Sequence, residues 1–550
     1  MIGWNCWCCN GVADPQDFSF SDPQPFSLPS PLPDWPQGKG FGSGRISLGE
    51  IEVSKITEFK KVWRCSQGAT FYRPQAIPDG FLCLGHYCQP SNQPLRGYVL
   101  VARDASEVNS VIESSALKRP VNYTLIWSSG LHGEDFGFIW QPNPPVGYKA
   151  MGFLVTSEPE EPALDDIRCV RADLTERCET SDVILSLRSK SNVFHVWKTR
   201  PCERGIYQRG VSIGTFFAST FFKEFLNIAC LKNLNPTLEG MPNLNQVEAL
   251  IGHYGPTVFF HPGEAYLPSS VPWFFKNGAL LYRNDGMKGE PIDIGGSNLP
   301  CGGENDGEYW IDLPMNKNAR ETLKSGDIAT ARLYVHVKPA LGGTFTDIVM
   351  WVFCPFNGPA TLKVSFLSIN LKKVGEHVSD WEHFTLRISN FSGELWQVYF
   401  SEHSRGEWVE AFDLEFIQGN KPIVYSSKHG HASFPHPGTY LQGSSGIGVK
   451  NDAARSKFSI DSSIKYEIIA AEYLGNGVVV EPNWLQYMRE WGPTIMYDAR
   501  SEIEKLIDLL PLFVRFSLED LLALFPTELY GEEGPTGPKE KNNWFGDERC

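Results

Sequence analysis

The chain lacks most features that would announce a simple function. Its 550 residues hold 49 Lys and Arg against 64 Asp and Glu, a formal charge of −15. The basic stripe of a general nucleic-acid binder is therefore missing. No run reaches the roughly 18 apolar residues of a membrane-spanning helix. The first residues have neither the basic nor the apolar stretch of an export signal, so a cytoplasmic chain is expected. The 13 cysteines are odd in number and lack small-scaffold spacing, which favours reduced thiols over a disulfide framework. Gly38, Gly40, Gly42 and Gly44 alternate without Gly-x-Gly-x-x-Gly spacing and follow no apolar strand, which argues against a phosphate loop. No nucleophile motif of a hydrolase occurs.

The composition that remains is that of a globular protein: 42% hydrophobic and 13% aromatic residues, with 51 Gly and 39 Pro spread along the chain. Such punctuation suits many short strands joined by turns, and the length holds about two to four domains. The expected fold is mainly β: an N-terminal β repeat module, then a β-sandwich, with short helices at the C-terminus. The expected boundaries are a flexible Pro/Ser-rich arm over 1–40 and a β module with two similar repeats over 41–216. A helical or mixed connector over 217–252 and the sandwich over 253–490 follow, then helices and a polar tail over 491–550. Helical spacing is clearest at 501–510 and 517–525. Near the start, Cys6, Cys8 and Cys9 stand beside Trp4 and Trp7. Acylation of two of them would hold the chain on a membrane, since one chain binds only marginally. An unmodified terminus is the alternative.

Two segments of the β module repeat one pattern. Phe71-Tyr-Arg-Pro74 precedes Pro78-Asp-Gly80-Phe81-Leu-Cys-Leu84-Gly85, and Phe138-Ile-Trp140-Gln-Pro142 precedes Pro145-Val-Gly147-Tyr148-Lys-Ala-Met151-Gly152. Each reads as strand, Pro/Gly turn, strand, with Tyr72, Phe81, Trp140 and Tyr148 as candidate core or groove aromatics. The pattern resembles the all-β adaptor-binding repeats of the large vacuolar-sorting, bridge-like lipid-transfer proteins. That resemblance implies partner binding.

The densest chemistry lies at Gly375-Glu-His-Val-Ser-Asp-Trp-Glu-His383. As a strand, it sends Asp380 and Glu382 to one face and Trp381 and His383 to the other. His377, in the preceding turn, folds back beside the carboxylates in this reading. Two carboxylates and an imidazole suit Ca²⁺ or Mg²⁺ and fit Zn²⁺ less cleanly. A solvated edge strand or an acid/base pair are the other readings. His429 and His431, two apart, fall on one face if extended and form a candidate ligand or acid/base pair. Hydrogen-bonded structural histidines are the alternative there.

Longer motifs carry two family resemblances. Gly210-Val-Ser-Ile-Gly-Thr-Phe216, Tyr266-Leu-Pro-Ser-Ser-Val271, Trp351-x-Phe-x-Pro-Phe-Asn-Gly358, Met488-Arg-Glu-Trp-Gly-Pro493 and Glu528-Leu-Tyr-Gly-Glu-Glu-Gly-Pro535 look like a plant member of the vacuolar protein sorting-associated protein 62 family. Residues 345–440 also resemble the core of the necrosis- and ethylene-inducing peptide-like proteins, β-sandwich cytolysins that use a divalent metal to engage membrane sphingolipids. Their heptapeptide, Gly-His-Arg-His-Asp-Trp-Glu, aligns its metal-binding His, Asp and Glu with His377, Asp380 and Glu382. Its second His is Ser379 here. A further Asp of that family matches Asn357, and its His-Gly element matches His429-Gly430. Together these imply a non-enzymatic sorting protein, cytoplasmic or peripheral on an endosomal or vacuolar membrane, with a membrane lipid or a trafficking protein as partner. A cytolysin-like protein and a metal-dependent hydrolase using His429 or His431 as base are the alternatives.

Overall fold

The computed structural model describes residues 23–105, 115–129, 136–188, 193–220, 226–286, 288–364, 367–371, 373–403, 405–444, 447–494, 505 and 534–548. The candidate lipidation sites Cys6, Cys8 and Cys9 lie outside the described residues. So does all of 501–510 and 517–525 except residue 505. The described chain is mainly strand, in antiparallel sheets with few and short helices. Among the described residues no helix is long and apolar enough to cross a membrane, and the described cysteines are free thiols.

The repeat pattern folds into three copies. In the first, Val99–Asp104 pairs with Ile51–Ile56 and Leu82–Cys83, while Ala69–Pro74 pairs with Phe59–Cys65 and Tyr87–Pro90. The second copy repeats this: Cys169–Arg171 with Leu117–Lys118 and Tyr148–Lys149, and Phe138–Asn143 with Asn122–Ser128 and Leu154–Thr156. A third follows, with Cys230–Lys232 between Thr175–Glu176 and Gly210–Val211, and Val193–Pro201 between Cys178–Arg188 and Phe216–Ser219. The copies close into a ring. At equivalent places, the N–H groups of Arg168, Ala229 and Leu100 donate across copies to the carbonyls of Cys83, Ala150 and Ile213 at 2.9, 2.9 and 2.8 Å.

Leu84, Met151 and Ile213, one from each copy, share the apolar centre. A side chain on Gly85 would meet the Gly152 Cα at 3.2 Å and Thr215 Cγ2 at 2.8 Å, so glycine is needed where the copies touch. Tyr72, Phe81, Trp140 and Tyr148 are all buried. The third copy runs past residue 216, so the stretch expected to be a connector begins with ring strand. Its helical part is Leu244–Tyr254, with Asn243 and Gln246 forming a capping box. Val247, Leu250, Ile251 and Tyr254 face the sandwich.

The sandwich is built on a six-stranded sheet. Its order is Arg405–Glu410, Glu394–Glu402, His377–Ser389, Phe345–Asn357, Leu333–Ala340, Tyr466–Ala470. Phe345–Asn357 is buried along its whole length, as expected for a central strand covered on both faces. One face packs on the Leu244–Tyr254 helix and on a second sheet through Val258, Phe260, Val424 and Ile460. The other meets Trp484, Trp491 and Trp544 through Trp351, Phe353 and Trp381.

Two terminal stretches lie on this body. The arm expected to be flexible is pinned over 23–40. Trp35 Nε1–H donates to Ser392 O at 2.9 Å, and Ser30 exchanges backbone bonds with the Asn420 side chain at 2.8 Å. Its proline content pre-extends it, so little entropy opposes docking. Residues 534–548 return to the sandwich, where Trp544 is fully buried and stacks on the His336 ring at 4.0 Å.

Candidate functional site

The site forms where the six-stranded sheet parts. Strand Glu394–Glu402 pairs with His377–Ser389 only from Phe384↔Phe400 onward. Residues 377–383 therefore face a gap on that side. A cavity of about 580 Å³ opens there, lined among others by Asn357, His377, Asp380, Glu382, Ser401 and Lys541. All four residues expected as metal ligands thus border one space.

Strict alternation would put His377 with Trp381, away from the carboxylates. The strand avoids this at Ser379, whose φ is +57°. Its opposite is Pro355, which has no N–H for the ladder, and the register skips that pair between Cys354↔Asp380 and Phe356↔Val378. On both strands the faces exchange at this point. Val378 and Phe356 join the Trp381 core, while Cys354 belongs to the opposite one. His377 and Asn357 consequently share the side of Asp380 and Glu382. His377 begins the strand itself, where a preceding turn was expected.

Each of the four residues engages the protein through one polar atom. Asn357 Nδ2–H donates to Gly375 O at 2.6 Å and to Gly358 O at 3.2 Å, so its oxygen is the remaining donor. His377 Nδ1–H donates to Ser379 O at 2.7 Å, which fixes the ring and makes Nε2 the nitrogen able to ligate. Glu382 Oε2 accepts from the Ser401 hydroxyl at 2.6 Å. Asp380 Oδ2 accepts from His431 Nδ1–H at 2.7 Å. Asp380 is itself buried, which removes the reading of a solvated edge strand at this residue.

Burial and the neighbouring Asp380 charge push Glu382 up to about 8. Burial also opposes ionisation of Asp380, but the His431 hydrogen bond outweighs it and holds this carboxyl below its ordinary range. Burial lowers His377, which keeps the ring neutral and ready to ligate. Three oxygen donors and one imidazole suit a hard divalent cation. As placed, no three His, Cys, Asp or Glu side chains among the described residues are drawn together closely enough to hold a metal.

The two later histidines part company. Both have positive φ, +71° at His429 and +53° at His431, so they sit in a turn and do not share one strand face. His431 is buried, and its Nε2–H donates to Tyr266 O at 2.9 Å while Nδ1–H serves Asp380. Both ring nitrogens face acceptors, so the ring is an imidazolium and has no lone pair to act as base. His429 packs edge-on to Tyr266, and its N–H donates to Glu264 at 2.6 Å.

Sequence reasoning missed the far wall of the cavity. Lys541, Asn543 and Glu548 come from the terminal segment. Glu548 accepts from His383 at 3.0 Å and from Thr385 at 2.6 Å. Burial opposes its charge, but His383 beside it pulls the carboxyl down to about 2. No local pattern announces contacts made across such a sequence distance.

Fold and site define a β protein with a threefold repeat ring joined to a sandwich that carries a polar cavity. The chain belongs to the vacuolar protein sorting-associated protein 62 family, whose model matches residues 22–548. The family is named for vacuolar protein sorting, which supports a sorting-related role. No curated protein matches the chain. Solved structures similar to it include GNIP1Aa from Chromobacterium piscinae, at 17% identity and TM-score 0.27, covering 36% of this chain and 40% of that one. NLPPya in complex with mannosamine shows 13% identity and TM-score 0.21, over 42% of this chain and 75% of that one. Necrosis and Ethylene inducing Protein 2, from the causal agent of cocoa's witches' broom disease, shows 19% identity and TM-score 0.16, over 33% and 76%. The last belongs to the class whose resemblance residues 345–440 carry. Likeness at this level leaves the site to be argued from its own residues.

Proposed function

We propose that this protein is a non-enzymatic, sorting-related protein that engages a membrane lipid headgroup through the sandwich cavity. A divalent cation, Ca²⁺ or Mg²⁺, held by Asn357, His377, Asp380 and Glu382, is the bridge in this reading. The observation that supports it is the cavity itself. Four donors from two neighbouring strands border one space, each with one polar atom fixed by the protein. When bound, the cation supplies a positive centre for headgroup oxygens. The side chains hold and orient it: Asp380 supplies the negative charge, and Glu382, pushed up to about 8, gives up its proton on binding. Attachment is peripheral and cytoplasmic, and the ring presents the surface for a trafficking protein.

Co-sedimentation with phosphatidylcholine vesicles containing phosphatidylinositol tests this. Wild type is expected in the pellet with Ca²⁺ or Mg²⁺ and in the supernatant with chelator, and Asp380→Asn in the supernatant throughout. Equal sedimentation of both proteins in chelator would remove the cavity and its cation from the account.

A further inference from the structure

The cavity already contains a positive charge supplied by the chain. Lys541 lines it, and its backbone is fixed from both sides. Its N–H donates to Pro538 O at 3.2 Å, and its carbonyl accepts from Trp544 N–H at 2.9 Å. Beyond it, the buried Trp544 stacks on His336. The Lys338 ammonium donates to Asn543 O and, at 3.0 Å, to Gly546 O. Glu548 is bonded to His383 and Thr385. The segment is thus anchored by a ring stack, a buried lysine and a buried carboxylate, and the lysine stem projects from a fixed base.

The charges around the cavity are unequally matched. Asp380 has the His431 imidazolium as a counter-ion at 2.7 Å. Glu382 has only the neutral Ser401 hydroxyl. No described residue pairs with the Lys541 ammonium, and the side chain lines the same cavity as His377, Asp380 and Glu382. Lysine is the side chain suited to this role, because its ammonium is a point charge on a flexible stem that can swing to solvent without moving the backbone.

We propose that Lys541 sets the affinity of this cavity for cations, so that a divalent ion reaching Asp380 and Glu382 must drive the ammonium out toward solvent. The proposal rests on the cation reading of the cavity given above. Its physical basis is Coulombic: a positive charge in the same cavity as the carboxylates opposes a second, and the opposition grows where water is partly excluded. The terminal segment then acts as a built-in competitor that keeps the cavity closed to weakly binding or monovalent ions.

Isothermal titration calorimetry of the full chain with Ca²⁺ and with Mg²⁺ tests it on four proteins: wild type, Lys541→Met, Lys541→Arg and Asp380→Asn. Met keeps the apolar stem and removes the charge; Arg keeps the charge. Lys541→Met is expected to bind on the order of tenfold more tightly than wild type or Lys541→Arg at low salt, with the gap narrowing as salt is added. Asp380→Asn is expected not to bind. If Lys541→Met binds as wild type does, or more weakly, while Asp380→Asn fails to bind, the cation site stands and the role of Lys541 is refuted. Where none of the four binds either ion, the cation reading falls and this proposal with it.

Discussion

The ring and the sandwich place their polar groups differently. Where the ring's copies meet, the centre is apolar, formed by Leu84, Met151 and Ile213. Ion pairs between ring copies and loops include the open one of Arg119 and Asp165, whose side chains are each 61% exposed, while Lys55 and Arg96 are buried where the ring meets Glu394 of the sandwich. The sandwich buries charge of its own. Arg387 holds Asp347 at 2.7 Å and Asp547 at 2.8 Å, His431 holds Asp380, and Glu382 faces a cavity. Buried charges cost several kcal/mol each unless paired, and an apolar strand end would be more stable. Of these, only Asp380 and Glu382 line the cavity, and the binding proposed above would give their burial a use.

Substitutions that separate the two regions sharpen this contrast. Trp544→Ala should cost the most, about 4 kcal/mol, because a fully buried ring is removed and the cavity wall loses its anchor. Denaturant unfolding reads the loss, and limited proteolysis should find new cleavage within 534–548. Met151→Ala, at the ring centre, should cost about 3 kcal/mol in the same assay. It should leave vesicle binding unchanged, because the ring centre does not border the cavity.

Glu548→Gln should cost about 2 kcal/mol at neutral pH, from the loss of a charged acceptor shared by His383 and Thr385. The sign of its pH dependence is fixed. The folded carboxyl is depressed from 4.5 to about 2, so its contribution is present above pH 4.5 and lost as pH falls toward 2. Wild type should lose stability across that window and the Gln variant should lose less, as thermal melting at stepped pH would show. An equal loss in both would deny the pairing. The smallest effect belongs to the ring's surface: Arg119→Ala should change stability by less than about 0.5 kcal/mol.

How far the sequence reveals each region follows from how local its signals are. The first two ring copies are visible because Pro-x-Gly-aromatic punctuates both, at Pro78–Phe81 and Pro145–Tyr148. The third keeps Ile213-Gly214 but has Gly210 in place of the aromatic and Tyr207 in place of the proline, so the threefold ring emerges only from strand pairing. The candidate ligands were readable because Asp380 and Glu382 are two apart on a strand. The route by which His377 joins them was not, since it depends on a positive φ at Ser379 opposite a proline. His429 and His431 would share a face only if extended, and backbone turns with positive φ separate them. Ser401, Lys541 and Glu548 reach the cavity from other strands and from the chain's far end, which spacing cannot show.

The most direct test is the thermal melting of wild type and Asp380→Asn, each with Ca²⁺, Mg²⁺ or chelator. The account predicts that the wild type gains about 2.7 kcal/mol at a hundredfold excess of one ion over its dissociation constant. The Asn variant, folded but lacking one ligand charge, should gain nothing. A wild type that melts identically in all three conditions would contradict the claim that the sandwich cavity is a cation site.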